Sequence, residues 1–381
     1  MPNLDELRAQ ITSIDQQIFS LFNQRMQVVS DVASYKAATG MPVYDRKRER
    51  ENIQRATQSV PPELASYAAV LQSVLMEAAR ASEHQALDAK HDASEAIRNA
   101  LQTQPAMFPV SAHVACQGVE GAYQQIAVDK LFHRAQISFY DSFEGVFRAV
   151  EDGWAQFGVI PVENSTAGSV THVYDLMMQH DFHIVRSCRL KIDHNLLVPP
   201  GVRREDVRIV YSHQQAISQC AGYIARIPDC RVHVCENTAM AAEKVAREGR
   251  RDAAAIASRD CATLYGLDIA DYSIQDQSNN YTRFACISKN LTIYPGADRA
   301  SLMVVTSHEP GALFKVLARF YALDINLLKL ESRPIPNRDF DFMLYFDIEC
   351  AAASPEFATL MDSLSDVCEE CRYLGSYSEV I

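Results

Sequence analysis

Residues 279–288 read NNYTRFACIS. The two asparagines belong to a loop, and Phe284-Ala285-Cys286-Ile287 has the apolar texture of a buried strand. Between them a hydroxyl and a guanidinium, Thr282 and Arg283, sit flanked by two aromatic rings. Such a pair is either the solvated start of an ordinary strand or polar chemistry at the mouth of a cleft. The neighbouring segments decide which.

From residue 110 onward, short apolar runs alternate with helix-like stretches: HVACQ, QISFY, FGVIPVE, RIVYSH, RVHVCE, AAAIAS and FACIS. This alternation predicts an α/β domain with mostly parallel strands, long enough for two lobes with a cleft between them. GVEGAYQQIA (118–127) is a Gly-rich loop entering a helix, and a helix N-terminus suits a carboxylate. VIPVENSTAGSV (159–170) ends a strand in Glu163, Asn164, Ser165 and Thr166, the end at which open α/β sheets build sites. A plain Asn/Ser turn explains that run equally well. VYSHQQAISQC (210–220) ends another strand in Ser212 and His213, for which a helix cap and a solvated histidine are the simpler account. Several polar strand ends in one domain, together with YTRF, point to a site.

Residues 4–85 read as helical. Leu4, Leu7, Ile11, Ile14, Ile18, Leu21, Val28, Val32 and Tyr35 recur at steps of three and four, the mark of a long amphipathic helix with a coiled-coil-like seam. Gly40 and Pro42 stop it, a short helix follows over 45–57, and Pro61-Pro62 opens a third. Arg25 falls inside the seam, where a charge needs an anionic partner, either Asp15 or Asp31 of the core or a bound anion. Arg8 lies seventeen residues earlier, about 25 Å along the same helix. One helix cannot bring both arginines to one small molecule; an intertwined dimer can, with Lys36 and Arg48 completing a ring of cations around a dianion.

After YPGADR (294–299) the order strand–helix–strand–strand–helix–strand matches a ferredoxin-like module. The chain of 381 residues is thus multidomain: helices over 1–88, a linker over 89–109, a two-lobed domain over 110–292 and a C-terminal α+β module over 298–381. A formal charge of −12 argues against nucleic-acid or anionic-membrane partners, so an anionic substrate must be met by local arginines and lysines. No run reaches the length of a membrane span and the start lacks an apolar secretory core, which suggests a cytoplasmic protein. Cys368-Glu369-Glu370-Cys371 is a lone C-x-x-C, read as incidental thiols. His180, His183 and His233 lack ligand-like spacing, so no metal is expected, and no cofactor.

LRAQITSIDQQIFSLFNQRMQVVSDVASYK (7–36) with PVYDRKRE (42–49) resembles the all-helical chorismate mutase family. The resemblance implies a mutase site of Arg8, Arg25, Lys36, Asp45, Arg48 and Glu49. A pericyclic rearrangement needs a clamped, folded substrate and a stabilised ether oxygen, not a nucleophile. Arginine forks suit the two carboxylates, and Lys36 suits the ether oxygen. The family's Ser and Gln on the last helix fall here on Ala79 and Glu83. A glutamate donates only when protonated, so mutase activity is expected to fall with rising pH through a raised Glu83 pKa. A helical domain that only dimerises is the alternative.

Gly118-x-x-Gly121-Ala122-Tyr123, Pro161-Val162-Glu163-Asn164-Ser165, Ile192-x-His194, Ser212-His213-x-Gln215 and Thr282-Arg283-Phe284 resemble prephenate dehydratase across 112–290. The resemblance implies that Thr282 is catalytic, assisting departure of the ring hydroxyl while CO2 leaves. It implies a substrate site of Tyr123, Glu163, Asn164, Ser165, Ser212, His213, Gln215, Arg283 and Phe284. Thr282 is too weak an acid to be the final proton source, so Glu163 or His213 backs it. Arg283 either binds a carboxylate or braces a loop, and His194 reads as structural. Gln214 replaces a family proline, and Gln124 a common serine. Gly311-Ala312-Leu313 and Glu331-Ser332-Arg333-Pro334 resemble the ACT regulatory domain, implying L-phenylalanine bound between two such modules and feedback inhibition. The whole resembles the bifunctional chorismate mutase/prephenate dehydratase family: a homodimer or higher homo-oligomer acting on chorismate and prephenate in phenylalanine biosynthesis, with a periplasmic-binding-protein-like middle domain. Rival readings are a dehydratase of prephenate or arogenate with a degenerate mutase domain, and a non-catalytic amino-acid sensor.

Overall fold

The computed structural model describes residues 3–39, 41, 46–86, 92–336, 338, 341–365 and 367–381. They fall into two units, Met1–Ser94 with Met361–Val367, and Glu95–Leu360 with Cys368–Ile381.

In the first unit the helices are Leu4–Thr39, Arg46–Gln58 and Ala65–Ala86, the last entered through a 3-10 turn at Pro62–Leu64. The first helix has Asp5 and Glu6 in its first turn and Lys36 in its last, each complementing the helix dipole. Its buried apolar contacts are Val29 and Ala33. The heptad residues that predict a seam are exposed in the single chain: Ile11 is 59% exposed and Leu21 63%. That is a large apolar stripe left open to water. The stretch read as a linker contains a further helix, Asp92–Gln102, with Ile97 and Ala100 buried.

The second unit has three sheets. The first runs, in spatial order, Glu379–Val380, His183–Lys191, Tyr281–Ser288, Phe157–Asn164, Ser111–Gln117 and Arg134–Tyr140, with Gly168–Ser169 paired to Phe157–Asn164. The second runs Asp268–Asp271, Asn195–Val198, Ala253–Ala257, Ile209–His213 and Arg231–Cys235. The sheets are mixed, which corrects the expectation of mostly parallel strands: Tyr281–Ser288 lies antiparallel to both its neighbours. The strand is the return limb from the second lobe, so it enters the first sheet from the opposite end. Two crossing segments join the lobes and bond to each other, Ile192 N–H to the Asn280 carbonyl at 2.8 Å and Ile274 N–H to the His194 carbonyl at 2.8 Å.

The third sheet is antiparallel, in the order Asn326–Pro334, Phe342–Glu349, Arg299–Val305, Glu370–Tyr377, with helices Ala312–Ala322 and Pro355–Leu364 in sequence between its strands. It shares one apolar core with the first lobe: Val162, Tyr174, Ala285 and Ile287 pack with Met303, Tyr345 and Leu374. Gly375 marks the closest approach. It holds φ +132°, and a Cβ there would lie 2.2 Å from the Ile184 carbonyl oxygen.

Candidate functional site

Thr282 stands opposite Asn164 in the antiparallel pair, and Arg283 opposite Glu163. Side chains alternate along a strand, so the two pairs leave by opposite faces. Thr282 and Asn164 turn toward the second lobe, where a cleft of about 300 Å³ is lined by Thr166, Gln215, Ser218, Gln219, Asp276 and Asn280.

The hydrogens in this site have a definite order, set by backbone donors. Asn164 Oδ1 accepts the N–H groups of Thr166 at 3.1 Å and Ala167 at 2.9 Å, and the Thr166 hydroxyl at 2.7 Å. Its amide nitrogen is thereby fixed as a donor, to Asn280 Oδ1 at 2.8 Å and to Thr282 Oγ1 at 2.9 Å. Asn280 in turn donates to Gln219 Oε1 at 3.0 Å, and Gln219 Nε2 donates to Thr166 Oγ1 at 2.9 Å. The ring closes across the two lobes with every donor matched to an acceptor. Thr282 Oγ1 is an acceptor within it, so its own O–H hydrogen is left for another partner.

His194 extends the chain. Its Nε2 lies 2.9 Å from Gln219 Oε1, an acceptor, so Nε2 carries the hydrogen. Its Nδ1 faces the Tyr123 hydroxyl at 3.2 Å, and that hydroxyl donates to the Asp193 carbonyl at 2.7 Å. Burial pushes the His194 pKa down, keeping the ring neutral. His213 caps the helix Gln214–Gln219, its Nδ1 accepting the Gln215 N–H at 3.3 Å, and burial lowers its pKa as well.

Several expected substrate contacts lie elsewhere. Arg283 and Glu163 point away from the cleft into the contact with the third sheet, where Arg283 meets Glu163 at 2.8 Å and also pairs with Asp347. Phe284 is in the apolar core beside Phe132 and Phe157. Ser212 is fully buried and donates to the Ile256 carbonyl at 2.7 Å. Ser165 braces the 279–281 turn, donating to the Asn279 carbonyl at 2.8 Å and accepting the Tyr281 N–H at 2.9 Å. Gln215 does line the cleft. Gln219 and Asn280 escaped the sequence reading. Gln219 stands four residues after Gln215, on the same helix face, which is the signal that was available.

In the helical unit Arg25 Nη1 donates to the Leu75 carbonyl at 2.8 Å, and burial lowers its pKa. The structure thus shows a backbone acceptor for this arginine on the third helix. Glu49 pairs with Arg80, a residue the sequence did not single out, and Arg80 also lies 3.9 Å from the buried Glu77. Arg8 is exposed near Asp5, at 3.7 Å, while Lys36 is half-buried and Arg48 exposed. Ala79 is buried. Asp45 and the side chain of Glu83 lie outside the described residues.

In the C-terminal sheet, alternation divides the Glu331–Pro334 run. Glu331 accepts the Ser169 hydroxyl at 2.5 Å, and Arg333 makes a bidentate pair with Asp175 at 2.8 and 2.9 Å. Both side chains are held by the first lobe. Ser332 and Pro334 are exposed, and Ser332 lines a pocket of about 300 Å³ with Ser307, His308 and Asp341. Gly311 caps the helix Ala312–Ala322 at φ +87°, with Ala312 buried and Leu313 half-buried. Burial pushes the Cys371 thiol up to about 12, so it is no ready nucleophile. Among the described residues there is no helix long and apolar enough to cross a membrane, and no cluster of three or more His, Cys, Asp or Glu arranged to hold a metal ion.

Comparison with known proteins gives two family matches, chorismate mutase type II over residues 7–84 and prephenate dehydratase over 114–292. The bifunctional chorismate mutase/prephenate dehydratase of Escherichia coli (strain K12) is 30% identical over 380 residues, covering 97% of this chain and 95% of that protein. Arogenate dehydratase/prephenate dehydratase 2 of Arabidopsis thaliana is 38% identical, covering 69% of this chain and 72% of that one. Among solved structures, prephenate dehydratase from Arthrobacter aurescens in complex with L-Phe superposes with a TM-score of 0.64 at 25% identity, covering 70% of this chain and 89% of that one.

Proposed function

Because this chain belongs to the bifunctional chorismate mutase/prephenate dehydratase family, it isomerises chorismate to prephenate and converts prephenate to phenylpyruvate, and we propose that the Asn164-oriented hydroxyl of Thr282 is what drives the second step. Prephenate loses CO2 and its ring hydroxyl as the ring becomes aromatic. The electrons of the breaking carbon–carboxylate bond enter the ring as the C–O bond to the hydroxyl breaks. The leaving oxygen gathers negative charge and needs a hydrogen-bond donor aimed at it. With Asn164 Nδ2 occupying a lone pair of Thr282 Oγ1 at 2.9 Å, the threonine hydrogen is free to serve as that donor. This is the single observation that carries the assignment. Glu163 faces the third sheet and burial lowers the His213 pKa, so neither is assigned as the ultimate proton source. Gln219 and Asn280 close the lobes around the substrate and keep Asn164 in its orientation.

For the mutase reaction we propose Arg8, Arg25, Lys36, Arg48 and Glu49, with Asp45 and Glu83, as the site. The open apolar stripe on the first helix supports a second copy of the chain covering it and bringing Arg8 of one helix beside Arg25 of the other. The C-terminal α+β module is proposed as an ACT-type, ferredoxin-like sensor for L-phenylalanine, using Gly311–Leu313 and the exposed Ser332 and Pro334. A cytoplasmic homodimer or higher homo-oligomer, without cofactor, completes the proposal.

The test is to incubate the pure protein with chorismate at neutral pH and follow prephenate and phenylpyruvate, with enzyme-free prephenate as control. Transient prephenate followed by phenylpyruvate is expected. Persistence of chorismate while added prephenate is consumed would reduce the helical unit to a scaffold. Parallel samples with arogenate rank the two dehydratase substrates.

A further inference from the structure

The neighbours of the reacting pair form a partly buried charged cluster on the other face of the same two strands. Arg283 is 7% exposed, and its guanidinium meets Glu163 at 2.8 Å and also Asp347. Asp347 Oδ1 accepts the Ser301 hydroxyl at 2.5 Å, and Ser301 lies 2.8 Å from the Tyr377 hydroxyl. Lys329 donates to Glu163 Oε2 at 2.6 Å and to Ser169 Oγ at 2.8 Å. Two cations thus face two carboxylates, and the buried Arg283 and Asp347 are charge-matched to each other while Glu163 and Lys329 sit at the edge of the cluster, half-buried. Asp347 and Lys329 belong to the C-terminal sheet; Arg283 and Glu163 are one residue from Thr282 and Asn164. A register shift interrupts the ladder between Arg283 and Phe284. The ladder to Phe157–Asn164 shifts there while the ladder to His183–Lys191 runs on unbroken, and the side-chain contacts from the C-terminal sheet add a hold on the shifted side. A cavity of about 20 Å³, room for one water, lies among Ser187, Arg283, Ser301, Asp347 and Tyr377. The Ser187 hydroxyl beside it is buried without a hydrogen-bond partner, as a bridging water would require.

We propose that Asp347 and Lys329 are positioning residues for prephenate dehydration. They hold Arg283 and Glu163, and through them the strand register that keeps Asn164 bonded to Thr282. The C-terminal module thereby reaches the reacting hydroxyl without entering the cleft. This rests on the dehydratase reading of Thr282, and where the module binds phenylalanine the same contacts carry its inhibition.

The experiment compares full-length Asp347→Asn, Lys329→Met and Lys329→Arg with the unmodified chain in prephenate kinetics. Expected is a kcat about tenfold lower in the first two at a KM within about twofold, with Lys329→Arg restoring most of it. Ser301→Ala removes one hydrogen bond from Asp347 without unpairing a charge, and is expected to lower kcat about threefold even if the charge variants fail to fold. The half-inhibiting phenylalanine concentration is expected to rise at least about fivefold, while calorimetric binding of phenylalanine without substrate changes less than about twofold. Unchanged kcat in all the folded variants overturns the proposal, as does a loss that appears in KM alone. If the unmodified chain binds no phenylalanine, the sensor reading falls, and the kcat measurements decide the positioning role by themselves.

Discussion

Asn164→Asp changes one atom of the dehydratase site and reverses its hydrogen-bond logic. The amide nitrogen of Asn164 donates to Asn280 Oδ1 at 2.8 Å, to the Tyr281 carbonyl at 3.2 Å and to Thr282 Oγ1 at 2.9 Å. A carboxylate oxygen in its place donates to none of them. It faces three acceptors, and Thr282 is the one that can adapt, by turning its hydrogen toward the new charge. The leaving hydroxyl then loses its donor. Loss of a single donor aimed at developing charge typically costs about 10² to 10³ in kcat. The Asn280 oxygen is left unpaired and buried, about 1–3 kcal/mol of stability, while the Tyr281 carbonyl keeps the Ser165 N–H at 2.8 Å. The assay is phenylpyruvate release from prephenate at neutral pH, with chorismate consumption in the same sample as the control for the helical unit. Expected is a dehydratase kcat down about two orders of magnitude, KM changed far less, and mutase turnover intact. Lowering the pH until the new carboxyl is protonated restores a donor and part of the rate, judged against the enzyme-free acid reaction. Dehydratase turnover within about threefold of the unmodified chain would refute the assignment of hydrogens around Thr282.

Thr282→Val keeps the shape and removes the donor; kcat is expected to fall at least about 10²-fold with prephenate affinity largely kept, and equal losses in both would count against a catalytic hydroxyl. His194, His183 and His213 are all held below the ordinary imidazole value of 6.5 by burial. The unfolded chain therefore takes up protons that the native state refuses, so stability is full above about pH 6.5 and declines below it. Denaturant melts between pH 5 and 8 report this, and a flat midpoint across that range would contradict it. Gly375→Ala sets a Cβ 2.2 Å from the Ile184 carbonyl oxygen at φ +132°; a loss of at least about 3 kcal/mol is expected in thermal unfolding, and a silent substitution would show that the two sheets separate easily. Glu83→Gln is expected to flatten a mutase pH profile that falls with rising pH in the unmodified chain, and identical profiles would remove Glu83 from the mutase site.

The sequence by itself determined the local elements and their chemistry. Steps of three and four marked the helix Leu4–Thr39, and the alternation of apolar runs marked the strands of both lobes. The polar residues at Asn164 and Thr282 were legible only together, since the VENS run alone reads equally well as a turn and YTRF alone as an ordinary strand start. What the sequence grouped together, tertiary structure divided. YTRF and VENS each read as one polar cluster, yet strand alternation turns Thr282 and Asn164 toward Asn280 and the ring beside the cleft, and Arg283 and Glu163 to the opposite face. Period two is local, but which face receives a substrate and which receives another sheet is not. On the second face Asp347 and Lys329, dozens of residues further along the chain, meet Arg283 and Glu163, a match that no local pattern announces. The direction of the Thr282 hydrogen likewise came only from the closed ring through Asn280, Gln219 and Thr166, since a donor's aim depends on partners that local sequence does not bring together.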